Sequence, residues 1–131
     1  MKKLILSDLH ESIGGKIVDF AGFKMPVQYE DGVISEHHTV RNKVGVFDVS
    51  HMGEIFIKGK NSLDFLQYIT SNDVSVLKPG KVQYTYMPNE SGGIVDDLLL
   101  YMLAVNSYLL VVNASNIQKD LAWINKYNSF S

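Results

Sequence analysis

Two adjacent acids, Asp96 and Asp97, stand inside GGIVDDLLLY, a run of otherwise large aliphatic side chains. Aspartate is a poor strand residue, and a buried carboxylate is costly unless something pairs with it. On a strand, successive side chains point to opposite faces. Asp97, Leu99 and Tyr101 then share one face, and Ile94, Asp96, Leu98, Leu100 and Met102 share the other. The second set is the more continuously apolar and is the expected core. Asp96, near the loop end of that face, is expected to take the backbone N–H groups of Gly92 and Gly93. For Asp97 two readings stand side by side. It is an outward acid on a half-exposed strand, or a carboxylate beneath a ligand, able to accept a hydrogen bond from a ring N–H or to polarise a reacting amine.

The other candidates for chemistry are weaker. Glu36, His37 and His38 invite a metal, but neighbours on a helix point about 100° apart and cannot chelate as an i, i+4 pair would. No third ligand has a suitable spacing, so no metal is expected. His51 in DVSHMGE has no positioned serine or cysteine nucleophile beside it. Gly14-Gly15 and Gly92-Gly93 lack the strand–loop–helix frame and the lysine of a phosphate loop. A net charge of −2 gives no electrostatic case for nucleic acid. The absence of cysteine excludes disulfides, thiolate nucleophiles and Cys-based zinc sites. The apolar start at Leu4, Ile5 and Leu6 is far shorter than a secretory core, and no window approaches a membrane span. A cytosolic chain is expected, with 131 residues enough for one modest domain.

The elements that must position the acids are punctuated clearly. Residues 8 to 29, with Gly14, Gly15, Gly22 and Pro26, read as loops with one or two short strands. Val33, His37, Val40 and Val44 lie along one face of an expected helix. A β-run over Val46 to Lys58 is interrupted at Gly53. Asn61 or Ser62 caps a helix in SLDFLQYI, with Leu63, Leu66 and Ile69 inward. Pro79-Gly80 turns the chain into VQYTYM, and the loop PNESGG leads to IVDDLLLYML. After a break at Asn106-Ser107, YLLVVNA completes a three-stranded meander. Ser115 and Gln118 form a capping box opening a helix with Ile117, Leu121 and Ile124 inward. The expected class is α+β, mostly antiparallel, with three helices.

The runs VDFAGFKMPVQY, SEHHTVRNKVGVFDVSHMGE, LQYITSNDVSVLKPGKVQYT, NESGGIVDDLLLY and YLLVVNASNIQKDLAW, in that order, resemble the amino-terminal part of the glycine cleavage system T protein family. These proteins are folate-dependent aminomethyltransferases, and FDVSHMGE with GGIVDDL makes the resemblance specific. Phe23 and His38 depart from residues common there. The resemblance implies that residues 1–131 are an amino-terminal fragment of the folate-binding domain, the first half of that domain in the T-protein fold, without the family's later domains. It implies transfer of a one-carbon unit from the aminomethyl-lipoyl H protein to tetrahydrofolate, the co-substrate, with release of ammonia. The fragment alone is expected to be inactive, and its strands left unpaired offer an edge for self-association. Matched residue by residue, Asp97 corresponds to the catalytic aspartate, and Met52, Tyr84, Tyr101 and Asn113 to positions lining the pterin pocket. A bacterial source implies the cytoplasm; a eukaryotic one implies the mitochondrial matrix, although no transit peptide is seen. Two alternatives stand beside this. One is a relative on the same scaffold, such as a dimethylglycine or sarcosine dehydrogenase-type module, an iron–sulfur assembly protein or a tRNA-modification factor. The other is a non-enzymatic α+β module.

Overall fold

Ala21 and Gly22 both adopt positive φ, 53° and 83°, the pair of left-handed residues that a two-residue primed turn requires. They join β1 (Ile17–Phe20) to β2 (Phe23–Pro26), with Phe20 opposite Phe23 and the Gly22 N–H donating to Asp19 Oδ1 at 2.9 Å. Ahead of this hairpin lies α1 (Ser7–Ser12), where only loop and strand were expected. Six residues make too few turns for apolar periodicity to show. What holds α1 is polar: buried His10 meets the Tyr29 hydroxyl at 2.7 Å through Nδ1 and Asp48 Oδ2 at 2.8 Å through Nε2. Gly15 is required beside it, because a Cβ there would stand 2.7 Å from the His10 carbonyl oxygen. The expected helix forms as α2 (Gly32–Asn42) and ends before Val44, and none of its residues is buried, Val33 and Val40 included. Residues 43–52 form no strand, so the β-run expected from Val46 begins only at Gly53. Val46, Phe47 and Val49 are apolar enough for a strand but have no pairing partner among the described residues. These segments belong to one compact unit, Met1–His51; a second begins at Met52. The structure is a computed structural model and describes residues 1–129.

The second unit is a four-stranded antiparallel sheet. Its strands are β3 (Gly53–Lys58), β4 (Lys81–Pro88), β5 (Ile94–Ala104) and β6 (Ser107–Val112), in the order β3-β6-β5-β4. Gly80 at φ 80° and Asn106 at φ 58° turn the chain at the two expected breaks. The meander β4-β5-β6 is therefore as expected, with β3 added on the far side of β6. One face of the sheet is the core. Met87 from β4, Leu98, Leu100 and Met102 from β5, and Tyr108, Leu110 and Val112 from β6 pack with Phe65, Leu66, Ile69 and Ile124 from two helices.

Those helices are α3 (Ser62–Ile69) and α4 (Ile117–Tyr127), so the α+β class holds with four helices rather than three. Asn61 takes the N-cap position of α3, and its inward face is Ser62, Phe65, Leu66 and Ile69, with Leu63 only half-buried. At α4 the capping box does not form. Asn116 is the N-cap residue, and its side chain is drawn away to a buried carboxylate. The buried positions of α4 are Asp120 and Ile124, while Leu121 remains 38% exposed. Where β3 starts, Gly53 lies against α4: a Cβ there would meet Ile117 Cγ1 at 2.6 Å and Val112 Cγ2 at 2.7 Å. Gly53→Ala is therefore expected to destabilise the chain by about 1–3 kcal/mol in urea unfolding. An unchanged midpoint would mean that α4 shifts freely on the sheet.

Candidate functional site

The alternation along β5 is realised at the two acids. Asp96 is buried with Leu98, Leu100 and Met102, and Asp97 is exposed on the opposite face with Leu99 and Tyr101. Ile94 departs from the expected core set. The ladder shifts register between Met87 and Pro88, beside it, and Ile94 is left 63% exposed.

Strand register then decides what surrounds Asp97. Asp97 stands opposite Tyr86 on β4, and Tyr84 is its diagonal neighbour, within reach of a long side chain. The Tyr84 hydroxyl donates to Asp97 Oδ2 at 2.8 Å, and this bond raises the phenol above its ordinary pKa. On the other side β6 ends at Val112, opposite Leu98, so Asn113 comes level with Asp97. Asn113 Nδ2 donates to Asp97 Oδ1 at 3.2 Å, to the Asp97 carbonyl at 3.1 Å and to Asp96 Oδ1 at 3.1 Å. Met52 immediately precedes Gly53, whose partner is Val112, and so lies at the same end of the sheet, half-buried. Tyr101 is on the same face as Asp97 but about 13 Å further along the strand, opposite Val82 and Leu109. Asp97, Tyr84 and Asn113 thus form one hydrogen-bonded group; Met52 and Tyr101 flank it without bonding to it.

Around this group the sheet face is apolar and open. Phe56, Val82, Tyr84, Tyr86, Leu99 and Leu103 are all exposed on it. Such a surface has the chemistry to stack a flat heteroaromatic ring, and a carboxylate at its end can accept a hydrogen bond from an N–H.

Asp96 does not bond the glycine turn. Asn89 does that work, its Oδ1 accepting from Gly93 N at 2.8 Å and from Ser91 N at 3.1 Å. Asp96 points inward instead, where Asn116 Nδ2 donates to Oδ1 at 2.8 Å and Asp120 approaches from α4 within hydrogen-bonding reach. Burial works to raise its pKa, but the bonds from Asp120, Asn113 and Asn116 outweigh burial and hold it below the usual carboxylate range. Asp120 is fully buried, and burial together with the bond to Asp96 pushes it up to about 7. Sequence reading missed Asn116 and Asp120. The signal was present, since Asp120 lies three residues after Ile117 and four before Ile124, on the inward face of the helix.

The remaining candidates are set apart. His37 and His38 meet ring edge to face at 5.6 Å on an exposed helix, and no group of three His, Cys, Asp or Glu residues that could hold a metal occurs among the described residues. His51 lies against the rings of Phe20 and Phe23. No helix among the described residues is long and apolar enough to cross a membrane.

Comparison with known proteins gives a consistent result. The chain is 60% identical over 128 residues to the aminomethyltransferase of Flavobacterium psychrophilum, covering 98% of this chain and 35% of that protein. It is 57% identical over 129 residues to the aminomethyltransferase of Bacteroides fragilis, with 98% and 36% covered. The crystal structure of glycine cleavage system aminomethyltransferase T from Bartonella henselae superposes with a TM-score of 0.92 at 42% identity, over 99% of this chain and 36% of that one. The chain thus spans about a third of the length of the curated relatives it matches. A family model described as the GCVT N-terminal domain matches residues 6–130, and the chain belongs to that family.

Proposed function

We propose that the whole protein is a tetrahydrofolate-dependent aminomethyltransferase of the glycine cleavage system, of which residues 1–131 are part of the folate-binding domain. In this reading it accepts the aminomethyl group from the lipoylated H protein. The carbon's bonds to ammonia and to sulfur break, and its bonds to two folate nitrogens form. The two protons leaving those nitrogens go to the departing amine and to the thiolate, giving methylenetetrahydrofolate, ammonia and the dihydrolipoyl arm. The observation that carries the reading is the carboxylate of Asp97, fixed by Tyr84 and Asn113 at the end of an open aromatic and aliphatic sheet face. Asp97 is the catalytic residue: it orients the folate amine and stabilises positive charge developing as the amine attacks. Met52, Tyr84, Tyr101 and Asn113 line the pterin site. The bacterial relatives support a cytoplasmic protein.

The test is an assay of the whole protein with aminomethylated H protein and tetrahydrofolate, reading ammonia and methylenetetrahydrofolate. Equimolar formation of both is expected. Demethylation of dimethylglycine or sarcosine, with no reaction of the H-protein substrate, would favour the dehydrogenase-type alternative. Residues 1–131 alone are expected to bind reduced folate weakly and to give no transfer; clear turnover by this chain would overturn the fragment reading. The outer edge of β4 is partly covered, Ser71 N donating to the Tyr86 carbonyl at 3.0 Å and Asn72 Nδ2 to the Tyr84 carbonyl at 3.0 Å. Self-association of this chain would therefore run through β3, the other edge. Light scattering that shows only monomer would remove that expectation.

A further inference from the structure

We propose that Asp120 is a positioning residue for Asp97: it stays neutral, donates a hydrogen bond to Asp96, and so leaves Asp96 ionised to hold the Asn113 amide against Asp97. The inference rests on the role given to Asp97 above. Its basis is an accounting of donors around three carboxyl groups. Asp96 Oδ1 accepts from two amides, Asn116 at 2.8 Å and Asn113 at 3.1 Å. Asp96 Oδ2 and both oxygens of Asp120 are buried and meet no N–H or hydroxyl donor among the described residues. Two desolvated carboxyl groups in contact cannot both be ionised at modest cost, so one proton lies between them. The anion belongs to Asp96, which has the amide donors; the proton belongs to Asp120, which has none. Lys119 is the cation nearest in sequence, but its Nζ donates to the Val95 carbonyl at 2.6 Å. The elevated pKa of Asp120 agrees with this assignment.

The consequence reaches the exposed face through one side chain. Asn113 Nδ2 carries two hydrogens, and they are shared between buried Asp96 and exposed Asp97. With Asp96 anionic and fixed from α4, the amide is held in the orientation that grips Asp97. Without the Asp120 proton, Asp96 Oδ2 is an unpaired buried acceptor that turns to recruit the amides, and the hold on Asp97 loosens.

Asp120→Asn keeps a neutral donor of the same shape, whereas Asp120→Leu keeps the volume and removes the donor. In the 131-residue chain, the readout is hydrogen exchange of the Asn113 side-chain amide by NMR at pH 5.5. Asp120→Leu is expected to accelerate it at least tenfold, and Asp120→Asn to leave it within twofold of the unsubstituted chain. Equal acceleration in both variants, or none in Asp120→Leu, would overturn the proposal. Should Asp120→Leu fail to fold, the unsubstituted chain still decides: its Asp120 carboxyl carbon at pH 5.5 must show the protonated form and that of Asp96 the ionised form. The reverse assignment would sink it. In the whole protein, Asp120→Leu is expected to lower kcat about tenfold with rescue by Asp120→Asn. If Asp97→Asn leaves transfer intact while the NMR results hold, the role of Asp97 has failed and the carboxyl network has not.

Discussion

Asp97→Asn is expected to lower turnover of the whole protein by about 10²–10³-fold while moving its thermal midpoint by no more than about 2 °C. The amide keeps the shape of the carboxylate and still accepts one hydrogen bond from the Tyr84 hydroxyl, which lies 2.8 Å away on an exposed face. Folding therefore loses little. Under the proposed function, what is lost is the negative charge at the point where a folate amine becomes cationic, and that charge would matter only during the reaction. Asp96→Asn is the contrast. It replaces the anion that accepts from two amides, the ionised half of a buried pair, by a weaker neutral acceptor, and is expected to cost about 2–4 kcal/mol of stability. Turnover and thermal midpoint measured for both variants separate the roles. A midpoint loss for Asp97→Asn as large as that for Asp96→Asn would show that the two acids do the same structural job.

That separation is legible in the sequence, because a strand with one buried face forces neighbours apart. Leu98, Leu100 and Met102 identify the core side of β5, and parity then assigns Asp96 inward and Asp97 outward. Parity says nothing about partners, however. The amides that hold Asp96 come from Asn113 and Asn116, 17 and 20 residues away, and are brought there by the antiparallel return of β6. The nearer candidates, the N–H groups of Gly92 and Gly93, turned out to be organised by Asn89 within its own loop. Asp120 was overlooked for a related reason. Reading α4 by its aliphatic residues favoured Leu121, yet the helix buries the acid one position earlier, where Asp96 receives it. In α2 the periodicity of Val33, His37 and Val40 marked a helix but not its end, since Val44 lies beyond it, nor its burial, since an apolar stripe does not specify what covers it. The six residues of α1 are held by His10 rather than by an apolar face, and a single histidine leaves no pattern to read.

The His10–Asp48 contact gives the second large expectation, a loss of stability in acid confined to the unit Met1–His51. Asp48 Oδ2 lies 2.8 Å from His10 Nε2, and the Ser50 N–H donates to Oδ1 at 2.9 Å. A carboxylate can only accept, so Nε2 carries a proton, while Nδ1 lies 2.7 Å from the Tyr29 hydroxyl. Hydrogen bonds from the Ser50 side chain and from His10 outweigh burial and bring the Asp48 carboxyl down to about 2, from an ordinary value of 3.8. The folded pKa is the lower one, so the unfolded chain binds more protons between these values. The contribution is complete above about pH 4 and is lost as pH falls through about 2. Its size is about 2–3 kcal/mol, from the fall from 3.8 to about 2 at about 1.4 kcal/mol per factor of ten. Urea unfolding between pH 2 and pH 6, followed by the Tyr29 ring resonances, should show this loss in the unsubstituted chain. In Asp48→Asn the loss should be absent, and stability at pH 6 should already be lower by a comparable amount. A chain whose α1 unfolds at the same urea concentration at pH 2.5 and pH 6 would show that Asp48 does not hold it, and that packing of Leu4 and Met25, the buried apolar residues of this unit, is sufficient.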